Sequence, residues 1–359
     1  MATLKELRDE RLRKLDELKK LGINPYPAQA SRTQIAKEVI DDFDKLQGQK
    51  ITIAGRIKSI RKFGKIAFVV IRDASGEVQL FLKHDGVQAL DAKKGHIGFE
   101  QLNLLDSGDF LESTGTVIKT QTGEISIDVQ TMRLLTKSLR PLPTDQDGFS
   151  NKEERLRRRY VDTNVNKDVY ERYLRRSKFW QATRDYLNKN AFVDMSIPVL
   201  EHTTGGADAN PFVTHMDALD QDFYLRISQE LPLKRLIGGG YDKVYDIGPR
   251  FRNENYTDEH LPEHMAMEWY AAYWDWRDGM KFMTEMYRHV LKETFGTHTF
   301  KVGDFEIDLS KEWEEWDYAD VIKKHYSLDV YNCTLAEVKK ALKAHKLEVE
   351  QTENKARGI

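Results

Sequence analysis

Between residues 50 and 135 apolar side chains recur at every second position. A period of two puts successive side chains on opposite faces of a strand. "ITIAGRIKSIRKFGKIAFVVIRDASGEVQLFLKHD" therefore reads as three strands, with turns at "RKFGK" and "DASGE". "DFLESTGTVIKTQTGEISIDVQTMRLLTK" supplies two more, and residues 84–108 between the two groups read as helical or irregular. Ahead of the strands, Leu4, Leu7, Leu12, Leu15, Leu18 and Leu21 keep helical spacing among charges until Gly22 and "NPYP" end the run.

After residue 137 the pattern changes again. "KSLRPLPTDQDGFSN" is rich in proline and turn formers and reads as a linker. Beyond it, "RYLRRSKFWQATRDYLNKN" has helical character, while "FVDMSIPVL", "FYLRIS", "KVYDIGPRFR" and "MAMEWYAAY" read as strands. Strands and helices do not alternate regularly, which favours an antiparallel α+β domain over a doubly wound one. The expected organisation is a helical arm and lead-in over 1–49, a five-stranded β-barrel of OB-fold outline over 50–137, a linker over 138–160 and an α+β domain over 161–359. Pattern alone leaves other small barrels open for the first domain.

Composition narrows the class only moderately. Of 359 residues, 40% are hydrophobic and 32% charged, which is a globular composition. No apolar run approaches the roughly 20 residues of a membrane helix. "MATLKELRDERLRKLDELKK" contains no apolar signal-peptide core, and a single cysteine, Cys333, excludes an internal disulfide. A cytoplasmic protein is expected. The net charge of −2, from 56 basic and 58 acidic residues, neither requires nor forbids a polyanionic partner. The basic runs "RLRRRY" and "RYLRRSK" read first as solvated helix faces.

The chemistry concentrates in "VYDIGPRFRNENYTDEHLPEHMAMEWYAAY", residues 244–273. Read as a hairpin, it places Arg250, Arg252 and Glu254 on one face of its first strand. On the return strand Glu268 and Tyr270 share a face, and Met267 and Trp269 take the other. A carboxylate among Met, Trp and Tyr needs a cation, which is either a ligand or an internal partner, Arg250 or Arg252. Glu230 opens the helix-like "ELPLKRLI" and is either a helix N-terminal charge or a ligand for an amine. Gly205 and Gly206 permit close backbone approach. His260 and His264 have acids between them and read as loop residues rather than as a zinc motif, so no metal ligands are assigned in this chain.

These segments also carry a resemblance. "GPRFRNENYTDEHLPEHMAMEWYAAY" resembles the second signature motif of class II aminoacyl-tRNA synthetases, and "AFVDMSIPVL", with Pro198, resembles the first. With "GGADANPFVTHMDALDQDFYLRISQELPLKRL" and "TKSLRPLP", the chain is similar to class II lysyl-tRNA synthetases from about residue 4 to about 310. "AGRIKSIRKFGKIAFVVIRDASGEVQLFLKHD" looks like that family's OB-fold anticodon-binding domain.

The resemblance implies ligation of lysine to tRNA(Lys) through a lysyl-adenylate, with ATP as substrate, Mg2+ and a homodimer. It implies that Arg252 grips the α-phosphate, Glu254 reads the adenine amino group and His260 touches the terminal phosphates. His264 stands where the family commonly stacks a phenylalanine on adenine. Acids occupy positions 258–259, where a basic residue is common. Gly206, Glu230, Glu268 and Tyr270 would bind lysine, and Arg61, Phe68 and Gln79 the anticodon. The family's third signature, with its arginine and the magnesium-holding carboxylates, does not follow residue 310, so a C-terminally truncated sequence of doubtful activity is expected. Two alternatives stand: a non-catalytic tRNA-binding or regulatory relative, which differs in class, and an aspartate- or asparagine-type synthetase of the same subclass. Glu230 and Glu268 disfavour the latter.

Overall fold

The computed structural model describes residues 3–143, 149–255, 257 and 260–347. The chain divides into two compact units, Met1–Tyr170 and Glu171–Ile359.

The first unit opens with α1 (Leu4–Lys20). Thr3 and Glu6 form a reciprocal capping box at its start, satisfying two backbone donors that the helix leaves free. Its apolar stripe buries Leu15 and Leu18. Arg11 donates to the carbonyls of Ser107 (2.9 Å) and Ser138 (3.0 Å), and Lys14 lies 2.7 Å from Asp106, so the helix is latched to the barrel. Two short helices follow, α2 (Ala36–Asp41) and α3 (Phe43–Leu46).

The strands are β1 (Lys50–Phe63), β2 (Ile66–Arg72), β3 (Glu77–Lys83), the brief β4 (His96–Ile97), β5 (Phe110–Lys119) and β6 (Ile125–Thr136). Their order is β3-β2-β1-β5-β6-β4, and β3 also pairs with β6 in parallel, which closes the sheet on itself. The core is built from alternate positions: Ile53, Ile57, Val69, Ile71, Leu80, Leu82, Leu111 and Ile127 are essentially inaccessible. A barrel of five long strands, antiparallel except at the parallel β3–β6 closure, is the OB-fold outline expected from the period-two pattern.

Closure needs close strand approach at Gly115 on β5, where an added Cβ would lie 2.2 Å from the Asp128 carbonyl oxygen. Gly115→Ala is expected to cost about 1–3 kcal/mol through overpacking. Denaturant unfolding of the variant checks this, and an unchanged midpoint would mean that the strands part there freely.

α4 (Lys152–Arg157) and α5 (Arg159–Val165) lie inside the stretch 138–160 and just past it, where a linker was expected. The reason is local charge pairing. Buried Asp162 accepts from Arg155 (2.9 Å), Arg159 and Asn166, so acids within the helices absorb much of the "RLRRRY" charge. The division between the units falls within the next helix, α6 (Lys167–Lys189), about ten residues beyond the position expected from composition.

The second unit contains β7 (Val193–Asp194), β8 (Leu200–Glu201), β9 (Val213–Met216), β10 (Gln221–Leu225), α7 (Glu230–Gly238), β11 (Lys243–Phe251), β12 (Glu263–Ala271), α8 (Trp276–Phe295), β13 (Thr299–Val302), β14 (Phe305–Asp308), α9 (Tyr318–Tyr326) and α10 (Leu335–Ala344). "FVDMSIPVL" yields only the two-residue β7 and β8. Pro198 stands between them and has no N–H to give a ladder. β11 pairs antiparallel with β12 and parallel with β7, giving a largely antiparallel α+β unit. One face of the β11–β12 hairpin presents Tyr245, Ile247, Met267 and Trp269 to Tyr186 and Leu187 of α6 and Phe282 and Met286 of α8. The other face meets α7 through Val244, Tyr270 and Leu233. Among the described residues no helix is long and apolar enough to cross a membrane.

Candidate functional site

The second face of the hairpin carries the chemistry. Its register sets Tyr270 opposite Val244, Glu268 opposite Asp246, Ala266 opposite Gly248 and His264 opposite Arg250. Two acids directly across an antiparallel pair repel, so each must be compensated. Asp246 is met by the fully buried Arg226, whose Nη2 lies 3.1 Å away, and Arg226 Nε donates to the Pro249 carbonyl at 2.8 Å. Gly248 leaves space for that guanidinium, since a Cβ there would lie 2.2 Å from Arg226 Nη2. Burial pushes the Asp246 carboxyl up from its ordinary range, against the pull of Arg226.

Glu268 is half-buried and more loosely compensated. Its Oε1 accepts from Ser228 Oγ (2.9 Å) and from the Gln229 amide (3.2 Å), and Arg250 Nη1 lies 3.6 Å from it. Of the two internal partners left open by the pattern, Arg250 is the one found beside it. Tyr270 donates its hydroxyl to Glu268 Oε2 at 3.4 Å. Burial raises the Tyr270 phenol well above its ordinary value, with Glu268 and Glu230 adding to the effect. Both carboxylates thus act on the same phenol.

Glu230 stands at the first position of α7, and its carboxylate meets Lys234 at 2.7 Å one turn on. Its backbone amide donates to Ser228 Oγ at 3.1 Å, so one serine meets the Glu230 backbone and the Glu268 carboxylate. Gly206, at φ +83°, passes so close that a Cβ would lie 2.7 Å from Glu230 Cβ and 2.9 Å from Ser228 Oγ. The structure therefore gathers Gly206, Glu230, Glu268 and Tyr270 around Ser228.

At the mouth of the hairpin, Arg252, Glu254, Asn255, His260, Leu261 and His264 line a cavity of about 310 Å³. Arg252 holds its place by donating its amide to the Pro262 carbonyl (3.0 Å), while its buried side-chain Nε has no hydrogen-bond partner among the described residues. Arg250 Nε is in the same condition. His260 Nδ1 is 2.8 Å from Thr257 Oγ1. Burial, then Arg250 and Arg252, push the His264 imidazole below its ordinary value, which favours the neutral ring. Positions 258 and 259, the acids singled out in the sequence, lie outside the described residues.

On the barrel, Arg61, Phe68 and Gln79 line a cavity of about 500 Å³ together with Phe63, Glu77 and Thr122. β2 alternates half-buried and buried positions, and Phe68 falls on the outer, half-exposed set. It stacks on Phe81 with ring centroids 5.2 Å apart and lies edge-on to the exposed Phe63 at 6.4 Å. Gln79 Nε2 donates to Ser126 Oγ at 3.0 Å.

Sequence reasoning missed Arg226, Asp246 and Ser228. The signal for Asp246 was available: period two from Arg250 through Gly248 places it on the same face. Nothing in the local pattern marked Arg226 as its partner, because the two are joined only through tertiary pairing.

A nucleic-acid-type barrel followed by an antiparallel hairpin that displays arginines beside paired acids is the layout of class II aminoacyl-tRNA synthetases. Two known families match: "tRNA synthetases class II (D, K and N)" over residues 151–355 and "OB-fold nucleic acid binding domain" over residues 51–135. The lysine–tRNA ligase of Thermotoga maritima is 38% identical over 355 residues, covering 97% of this chain and 69% of that protein. The corresponding protein of Thermosipho melanesiensis is 37% identical with the same coverage, and that of Clostridium novyi is 39% identical over 344 residues, 95% of this chain and 66% of its own. The chain belongs to the class II tRNA synthetases of this group, within the lysine–tRNA ligase family.

Proposed function

We propose that the chain ligates lysine to tRNA(Lys) in two steps. The lysine carboxylate attacks the ATP α-phosphate and pyrophosphate leaves; the 3′-terminal hydroxyl of the tRNA then attacks the lysyl carbonyl and AMP leaves. The observation that carries this reading is the pair of acids, Glu230 and Glu268, gathered beside Ser228 and both acting on the Tyr270 phenol. Two carboxylates near one phenol suit a ligand with two ammonium groups, since like charges at 4 Å repel by about 4 kcal/mol at an effective dielectric near 20.

In this reading Glu268 and the Tyr270 hydroxyl take the ε-ammonium, Glu230 takes the α-ammonium, and Gly206 leaves room between them. Arg250 and Lys234 hold the acids in the resting protein and yield as the ligand's own cations arrive. Arg252 stabilises charge on the α-phosphate, Glu254 accepts from the adenine amino group, His260 meets the terminal phosphates and neutral His264 stacks on the adenine. Arg61, Phe68 and Gln79 read the anticodon by stacking and edge hydrogen bonds. Magnesium is proposed as the counter-ion of the triphosphate. Among the described residues no group of three or more His, Cys, Asp or Glu gathers to hold a metal, and the steps above use side chains alone. A homodimer and a cytoplasmic location complete the proposal.

The barrel separates the two halves of the reaction. Phe68→Ala is expected to weaken tRNA binding by about 1–3 kcal/mol, the worth of one stacked base. Lysine and ATP binding should not change. Titration of tRNA, lysine and ATP against the purified variant checks this, and equal losses for all three would reassign Phe68 to a structural role. Absence of lysine binding by the unaltered chain would sink the amino-acid assignment.

A further inference from the structure

The outer face of β1 and β2 continues well past the aromatic cluster. Its cross-strand pairs run Phe63–Ile66, Arg61–Phe68, Ser59–Val70 and, beyond a bulge at Lys58, Arg56–Arg72. The last pair sets two guanidiniums directly opposite each other, an arrangement that destabilises a sheet unless an anion relieves it.

Neither arginine has a carboxylate within ion-pair distance among the described residues. Arg56 Nη1 donates to the Gly108 carbonyl at 3.2 Å and its guanidinium covers the Phe110 ring at 4.3 Å. Arg72 Nη2 donates to Asn164 Oδ1 at 2.8 Å and to the Asn164 carbonyl. Both side chains are thus held by neutral groups. Burial, then Arg72, push the Arg56 guanidinium below its ordinary value, and Asp109, beyond ion-pair distance, offsets them only in part. The pair opens into a cavity of about 320 Å³ whose wall also includes Lys58, Ser59 and Ser107.

We infer that Arg56 and Arg72 form a phosphodiester site that takes the backbone of the tRNA whose anticodon sits on Phe68. Five residues of strand separate Arg56 from Arg61, about 15 Å at the rise of a strand. A free nucleotide held at Phe68 does not reach that far, whereas a polynucleotide leaving the aromatic cluster along the same face does. The site adds position and salt-dependent affinity and carries no base information. It rests on the tRNA-binding reading above and extends it beyond the anticodon.

The test is tRNA affinity of the full chain between 50 and 200 mM salt for the unaltered protein, Arg56→Gln, Arg72→Gln, Arg56→Lys and Phe68→Ala. Each glutamine variant is expected to lower the slope of log affinity against log salt by about 0.7–0.9 and to weaken binding several-fold. Arg56→Lys should keep the slope, because charge and not shape sets it. Phe68→Ala should lower affinity at constant slope. An unchanged slope in both glutamine variants overturns the phosphate site and leaves lysine ligation standing. A reduced slope in Arg56→Lys as well would make Arg56 a structural strut and also overturns it. No tRNA binding by the unaltered chain overturns the ligation reading, and this site with it.

Discussion

Glu268→Gln is expected to lower kcat/KM for lysine by about 30- to 700-fold while ATP binding changes little. The side chain keeps its shape and its place beside Ser228 and Tyr270, but the charge proposed to meet the ε-ammonium is gone. Losing a charge-assisted hydrogen bond in a partly desolvated pocket costs about 2–4 kcal/mol, which converts to that range. Arg250 supplies the competing account, because its Nη1 is 3.6 Å from the same carboxylate. If that pair were the residue's whole purpose, the variant would melt earlier and lose lysine and ATP alike, since Arg250 sits across from His264, which lines the cavity proposed for ATP. Melting temperature and both substrates' kinetics on the one variant separate the outcomes. An unchanged kcat/KM for lysine would end the assignment.

Arg226→Met should have the largest effect on stability. It leaves Asp246 buried without its cation, and breaking a buried pair on one side costs about 3–5 kcal/mol. For a unit of this size that lowers Tm by about 6–20 °C. Burial already raises the Asp246 carboxyl above its ordinary value, so ionising it opposes folding as pH rises through that raised value. Without Arg226 the opposition grows, and the variant should regain stability as pH falls and Asp246 takes up a proton. Arg226→Met with Asp246→Leu should recover most of the loss at pH 7. Thermal melts of the single and double variants at two pH values check this. A single variant as stable as the parent would mean that water reaches Asp246.

The parts of the fold written in short-range periodicity were legible. The barrel strands fell where alternation put them, whereas Phe68 was singled out only through the resemblance; the structure places it on the outer set, between the fully buried Ala67 and Val69. On the hairpin, period two correctly grouped Glu268 with Tyr270 and sent Met267 and Trp269 to the core. It could not choose between Arg250 and Arg252 as the partner of Glu268, because both lie on that face and only the register decides. Arg226 was invisible for a related reason. A lone arginine in "YLRIS" looks like a surface residue, and it becomes a core cation only when Asp246 and Gly248 arrive opposite it from another strand. The helices at 152–165 were masked by their charge content, which is neutralised in pairs around Asp162.

Closure of the barrel by β3 and β6 has a consequence for how the chain comes off the ribosome. A sheet that closes on itself presents no long unpaired edge for a stray strand to join. All of its strands precede residue 137, so a finished and unreactive fold is available while β11 and β12 are still unmade. Domains emerging first generally fold first. The later hairpin, with its Met- and Trp-rich face waiting for α8, is then the exposed stage of synthesis. A nascent chain stalled between β12 and α8 is where a chaperone would find its substrate, with the barrel already out of reach of any mispairing.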